Sequence, residues 1–258
     1  MTTASSSAER LTILTGASRG LGRAMAQRLL QSGGTLLCIS RHRDDALARE
    51  AQAAGVDLVQ WEQDLAEPAA ASARLVEWLA AIEPARFARA TLINNAGTVG
   101  QPRPLAEGVA SELAQALRVG LEAPMLLTGA FLGATRTWPG RKEVLNISSG
   151  LGRNAMGSQA PYCAAKAGMD HFSRAVALEQ DALPNGAKIV SLAPGVIDTD
   201  MQVQLRGTPA EAFPDRERFV QLKAKGMLDS PDVAAAKVLG YLDRADFGGT
   251  VVADVRDA

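Results

Sequence analysis

The 258-residue sequence predicts an α/β fold: a doubly wound parallel sheet covered by helices on both faces. Two observations carry this. Short apolar, β-rich runs recur from end to end, and stretches with helical spacing separate them. Strands that read as continuous apolar runs, each followed by ten or more helical residues, are what a parallel sheet buried on both faces requires. The runs fall at residues 11–14, 35–39, 56–61, 91–93, 144–147, 188–192 and 250–252. Between the third and fourth, the alanine-rich "LAEPAAASARLVEWLAAIEPARFARA" places Leu75, Trp78, Leu79 and Ile82 along one helical face, which predicts one crossover helix. "QAPYCAAKAGMDHFSRAVA" predicts a second long helix between the fifth and sixth. No repeat and no Pro/Gly/Ser linker divides the chain, so residues 1–258 are expected to form one domain. Its one excursion, at about 202–229, breaks the strand–helix alternation with prolines, glycines and charges. Such excursions on compact domains are often binding lids.

Composition narrows the function. With 47% hydrophobic residues, 21% charged residues and a net charge of -1, the chain lacks the positive excess that a phosphate backbone demands, and no nucleic-acid partner is expected. The N-terminal "MTTASSSAER" has no apolar core of the signal-peptide kind, and no uncharged run of eighteen apolar residues occurs. Neither secretion nor a membrane partner is expected, and a cytoplasmic location follows. Cys38 and Cys163 match neither a disulfide framework nor a metal site. Asn146-Ile147-Ser148 fits the glycosylation pattern but sits in a strand-like run and is set aside.

The first apolar run leads into "TGASRGLG", with Gly16, Ser18, Arg19, Gly20, Leu21 and Gly22 opening a helical pattern. Glycines let the backbone turn tightly beneath a pyrophosphate, and the free N–H groups of the following helix face the anion. A dinucleotide site is expected there. About twenty residues on, at the end of the second strand, a carboxylate would hold the ribose 2′-hydroxyl of NAD, whereas an arginine suits a 2′-phosphate. The strand ends "CISRHR", placing Ser40 and Arg41 at that point, and Arg19 could reach the same phosphate. The expected cofactor is NADP(H). Asp44 and Asp45 lie just beyond, and either one reaching the ribose would blur the preference.

Tyr162 and Lys166, four apart on a predicted helix, share one face. A free phenol, with a pKa of about 10, is a poor proton-transfer group near neutrality. A cation about 4 Å away, at an effective dielectric near 20, contributes roughly 4 kcal/mol, enough to lower that pKa by about three units before desolvation acts. Ser149, at the end of the fifth run, could donate a hydrogen bond to a substrate carbonyl, with Ser148 as the alternative. The only other tyrosine, Tyr241, has Ala245 at the matching position, so no second pair of this kind exists.

"TGASRGLG", "NNAG", Ser149, "YCAAK" and "APGVIDT", in this order and at these gaps, resemble the short-chain dehydrogenase/reductase family over nearly the whole chain. The resemblance implies a Rossmann-type sheet of seven strands and NAD(P)(H)-dependent oxidoreductase activity. It assigns Tyr162 as proton donor, Lys166 as holder of the nicotinamide ribose and Ser149 as the carbonyl-orienting group. It further places Asp64 and Leu65 by the adenine. Asn94 and Gly97 would support the cofactor cleft, with Asn95 and Ala96 at the cofactor, and Pro194, Gly195, Ile197 and Thr199 would lie at the carboxamide end. "LINNAGTVGQPRPL", "NISSGLGRNAMGSQAPYCAAKAG", "PGVIDTDMQVQLR" and "LKAKGMLDSPDVAA" are similar to the benzil reductase group, related to sepiapterin reductase. That similarity implies a small-molecule carbonyl substrate, a ketone or vicinal diketone, and a homodimer or homotetramer. Leu151, Met156 and Met201, with Leu205 and Phe213, are candidate walls of an apolar substrate pocket.

One position departs from the family. Where members place an asparagine, in a pattern like V-N-L-x-x-P, this chain reads "RVGLEAP" with Gly120. The asparagine supports a water chain that resupplies the lysine with protons, and Gly120 is expected to leave room for water instead. His171, nine residues beyond Tyr162, is too far along the helix to reach the reacting carbonyl and is expected to have a packing or interface role; Cys163 is expected in the core. Two other readings stay open: a 3-oxoacyl-carrier-protein reductase, which shares these catalytic residues and would want a basic patch at the entrance, and a nucleotide sensor that has lost turnover.

Overall fold

The computed structural model describes residues 9–257. Seven parallel strands form one sheet in the order β3-β2-β1-β4-β5-β6-β7. They are β1 (Glu9–Thr15), β2 (Thr35–Ser40), β3 (Asp57–Glu62), β4 (Phe87–Asn94), β5 (Arg141–Ile147), β6 (Lys188–Ala193) and β7 (Val252–Asp254). The chain winds outward from β1 to β3, then returns to lay β4 on the other side of β1, so the order reverses between β1 and β4. A crevice opens at the carboxyl ends of the strands where such a reversal occurs.

Alternation within the strands explains why helices cover both faces. Leu14, Cys38, Ile93, Leu145 and Val190 point to one side, against α1 (Gly20–Ser32), α2 (Asp45–Ala54) and α9 (Pro231–Leu242). Leu11, Ile13, Leu37, Leu92, Val144 and Ile189 point to the other, against α3 (Pro68–Ala80) and α5 (Ala123–Ala134). Both sets are buried, so the strands carry apolar residues at successive positions. Local signals set the helix ends. Asp44 caps α2 by accepting from the Leu47 N–H, and Gly55 closes that helix in the left-handed conformation. Ser230 caps α9 ahead of Pro231 at its first position.

The predicted crossover helix is shorter than its sequence pattern. It ends at Ala80, and after a single turn at Pro84–Arg86 the segment from Phe87 is already β4. Phe87 and Ala90 are buried strand residues that a helical count absorbed because alanine and arginine suit a helix equally well. The stretch after β4 is helical from Ala110 to Ala134: α4 (Ala110–Leu117), a π-helical turn (Arg118–Glu122) and α5. By length and composition alone this stretch could cross a membrane. It carries Glu112, Arg118 and Glu122, however, and it packs on α3 and α6 (Ala160–Asp181). The excursion holds two short helices, α7 (Asp200–Gly207) and α8 (Arg216–Ala224), around a small cluster of Leu205, Phe213 and Phe219.

Candidate active site

The turn after β1 is locked by the end of β4. The Thr15 hydroxyl accepts from the N–H groups of Asn95 (2.9 Å) and Ala96 (3.0 Å), and the Asn95 amide donates to the carbonyls of Thr15 and Gly16. This close approach dictates the glycines. Gly16 has φ +70°, and a Cβ there would come within 2.9 Å of the Ala96 Cα; a Cβ on Gly22 would collide with the Gly16 carbonyl oxygen. The cradle therefore fits a pyrophosphate, with backbone N–H groups of α1 turned toward it. Asn94 supports the cleft from below, as the resemblance implies. Buried in β4, it donates to Asn146 (2.8 Å) and Thr128 (3.1 Å) and braces β4 against β5 beneath the cleft. Asn146 is fully buried and donates onward to Ser173.

At the end of β2, the Ser40 hydroxyl accepts from the Ala17 N–H (2.9 Å), tying the strand end to the glycine turn. Arg41 is exposed beside it and has no acidic partner among the described residues. The nearby carboxylates are committed elsewhere: Asp44 pairs with Arg23 and caps α2, and Asp45 lies in the first turn of α2, outside the cleft. Arg19 pairs with Asp200 of α7 at 3.3 Å, both side chains largely exposed.

Every other residue assigned above to cofactor or substrate, from Gly16 to Met201, lines a single cleft of about 850 Å³ that runs from Arg41 to α8. Among the apolar candidates Leu205 lines it as well, while Phe213 is buried behind it. Ser149, Tyr162 and Lys166 meet in its middle. The two serines after β5 separate by role. Ser148 is buried and donates to Asp170 (2.5 Å), whereas Ser149 is half-buried, its oxygen accepting from the Leu151 N–H (3.2 Å). Lys166, buried on α6, donates to the Ile147 carbonyl (2.7 Å), and its Nζ stands 5.7 Å from the centre of the Tyr162 ring. A Cβ on Gly97 would lie 3.7 Å from that Nζ, so the glycine leaves the ammonium open to the cleft.

The electrostatics correct one expectation. Burial raises the Tyr162 pKa above its ordinary value, partly opposed by a hydrogen bond with Ser149, where the lysine was expected to lower it. The same burial pulls Lys166 down to about 8, with the Asp170 carboxylate favouring its charged form. Desolvation disfavours phenolate and ammonium alike, and with the ammonium nitrogen nearly 6 Å from the ring centre it outweighs their attraction. The phenol is thus held protonated at neutral pH.

Sequence reasoning missed several groups. Asp170 accepts from both Ser148 and Ser191 (2.7 Å) and sits two helical turns beyond Tyr162, a position the i, i+4 pattern could have flagged. Gln159, buried on the cleft wall, gave no signal of its own. Gly120 lies in the π-helical turn, and a Cβ there would come within 3.0 Å of the Ala165 Cβ. Ala165 of α6 thus packs against the point where a side chain at 120 would begin. His171 is exposed and Cys163 is half-buried, so neither belongs to the core.

A family model described as short chain dehydrogenase matches residues 10–210. The chain belongs to the short-chain dehydrogenase/reductase family. It is 36% identical to a benzil reductase ((S)-benzoin forming) of Bacillus cereus, over 92% of this chain and 96% of the relative. It is 33% identical to the sepiapterin reductase of Meriones unguiculatus, over 95% of each. The structure of a metagenomic short-chain oxidoreductase in complex with NADP superposes with a TM-score of 0.71 at 27% identity, covering 97% of both chains. The chain is accordingly an oxidoreductase that binds a nicotinamide cofactor in a Rossmann-type fold.

Proposed function

We propose that this protein uses NADPH to reduce a ketone or vicinal diketone of the benzil type to a chiral alcohol or hydroxyketone. The observation that carries the reading is the continuity of one cleft from Arg41, which has no acidic partner among the described residues, to the Ser149–Tyr162–Lys166 cluster. Arg41 would grip the 2′-phosphate, the glycine turn the pyrophosphate, and Lys166 the nicotinamide ribose. The bound nicotinamide supplies hydride to the carbonyl carbon. Ser149 donates a hydrogen bond to the carbonyl oxygen and stabilises the charge developing there. Tyr162 then gives its proton to that oxygen, forming the alcohol and leaving a phenolate beside the Lys166 ammonium. A phenol kept protonated by burial is the form that reduction consumes.

The carrier-protein reading lacks the patch it would want. At the cleft Arg256 is held by Asp254, and Arg206 and Lys223 pair with Asp198; of Arg216, Arg218 and Lys225, which have no acidic partner among the described residues, only Arg218 lines the cleft. Residues 202–229 form the lid of what we treat as one domain, spanning 1–258 and acting in the cytoplasm. Exposed Leu117, Met125 and Leu126 on the α4–α5 stretch and Leu178 on α6 offer a contact for a homodimer or homotetramer, to be read by light scattering. Mixing protein, NADPH and benzil and following cofactor absorbance tests the activity: oxidation is expected, with NADH much less effective. No oxidation with benzil or a broad panel of carbonyls would favour the sensor.

A further inference from the structure

Gln159 is 2% exposed, and neither its Nε2 nor its Oε1 has a hydrogen-bond partner among the described residues. Buried amides are almost always satisfied, and leaving one unpaired costs about 1–3 kcal/mol. Its position does not relieve this. Gln159 is the N-cap residue of α6, where short side chains accept from the helix N–H groups, yet its side chain makes no cap bond. The residue itself lines the cleft, three positions ahead of Tyr162 at the start of α6, and its amide lies closed off from solvent just behind that wall. Ser149 and Tyr162 account for one substrate oxygen; the Gln159 amide, held by no hydrogen bond, is a further polar group that a turn of its side chain brings to the same wall.

Building on the reductase reading above, we propose that Gln159 is the specificity residue of the site, binding a second oxygen carried on the carbon next to the reacting carbonyl. Its Nε2 donates to that oxygen in a dicarbonyl, and its Oε1 can accept from a hydroxyl there, so α-dicarbonyls and α-hydroxyketones are the favoured class. A site whose buried polar group must be paired discriminates strongly against an analogue lacking the partner. Simple monoketones leave the amide unpaired and are poorer substrates.

The test compares benzil with deoxybenzoin, the analogue in which one carbonyl is a methylene, in the wild-type protein and in Gln159→Met and Gln159→Leu, which keep the length or bulk without the amide. Wild type is expected to prefer benzil in kcat/KM. Both variants should lose about 10- to 100-fold on benzil and less than about threefold on deoxybenzoin, collapsing the preference. NADPH titration by fluorescence should give an unchanged Kd, which also reports folding. Equal losses on both substrates, or no loss on either, overturn the proposal. If both variants fail to bind NADPH, Gln159→Glu, close to glutamine in shape but without the amide donor, decides: a loss on benzil at least tenfold greater than on deoxybenzoin upholds the proposal, and parallel losses overturn it. Wild type that reduces neither compound nor any other carbonyl instead defeats the reductase reading itself.

Discussion

The two ends of the cleft are built by different means. At the nucleotide end, backbone meets backbone: Thr15 and Asn95 clamp the ends of β1 and β4 together, Ser40 holds the end of β2, and a Cβ on Gly22 has nowhere to go. At the other end, beneath the proposed lid, side chains meet side chains. Leu205, Phe213 and Phe219 form a cluster apart from the two main cores, with Met156 and Leu222 packed against it, and Asp198 draws in Arg206 and Lys223. A main-chain cradle fixes atoms to within tenths of an ångström and can serve an invariant ligand. An end made of small contacts can be rebuilt residue by residue, so the fit to the rest of the substrate, beyond the oxygen assigned to Gln159, is expected to be set there. α6 joins the two, carrying Gln159, Tyr162, Lys166 and Asp170 along its length.

The sharpest break is expected at this junction. Tyr162→Phe should lower kcat by about 10²- to 10⁴-fold, the usual contribution of a positioned proton donor, with NADPH binding retained in a fluorescence titration. At the nucleotide end, Gly22→Ala forces the turn open; NADPH affinity should fall tenfold or more, since overpacking a tight contact costs about 1–3 kcal/mol. Normal affinity in that variant would show the cradle to be more pliable than its contacts imply. Arg41→Ala should raise the KM for NADPH by about 10- to 100-fold and leave that for NADH nearly unchanged, because only the 2′-phosphate loses a charge-assisted hydrogen bond.

Legibility in the sequence divides along the same line. "TGASRGLG" announced its turn because glycines are needed wherever backbones come this close, and the seven apolar runs located the strands because a sheet covered on both faces keeps most strand positions apolar. Tyr162 and Lys166 followed from helical spacing. The sequence could not show that burial would outweigh the lysine at Tyr162, since desolvation depends on what α6 packs against. Nor could it show that Ser148 would be spent on Asp170, twenty-two residues away, or that Ala165 would pack against Gly120. The two lid helices were equally hidden, because α7 and α8 are too short for periodicity to stand out amid prolines and charges.

Asp170 allows a finer test within α6. Its carboxylate favours the charged form of Lys166, which burial has already drawn down to about 8. Asp170→Asn keeps the acceptor for Ser148 and Ser191 but removes the negative charge, so the Lys166 ammonium loses support and its pKa falls further. Turnover that depends on that ammonium then fails at lower pH: the alkaline limb of the kcat profile should move from near 8 toward neutrality, with rates at pH 6 close to wild type. A limb that stays in place would mean that Asp170 only fastens α6 to β5 and β6.

The smallest effect is expected at the lid. Asp198 joins Lys223 of α8 and Arg206 of α7, but its surroundings are exposed, and ion pairs in water of high dielectric are weak and screened by salt. Asp198→Asn should therefore raise the KM for the carbonyl substrate by about fivefold at most, leave kcat and the NADPH Kd alone, and shift Tm very little. Salt supplies the control. Raising ionic strength to about 1 M shrinks the screening length to about 3 Å, so wild type should drift toward the variant's KM while the variant stays put. If the variant instead lost kcat, or responded to salt as wild type does, the lid would be held by its apolar cluster alone, and the division of the cleft into a fixed and an adjustable end would need redrawing around Phe213 and Phe219.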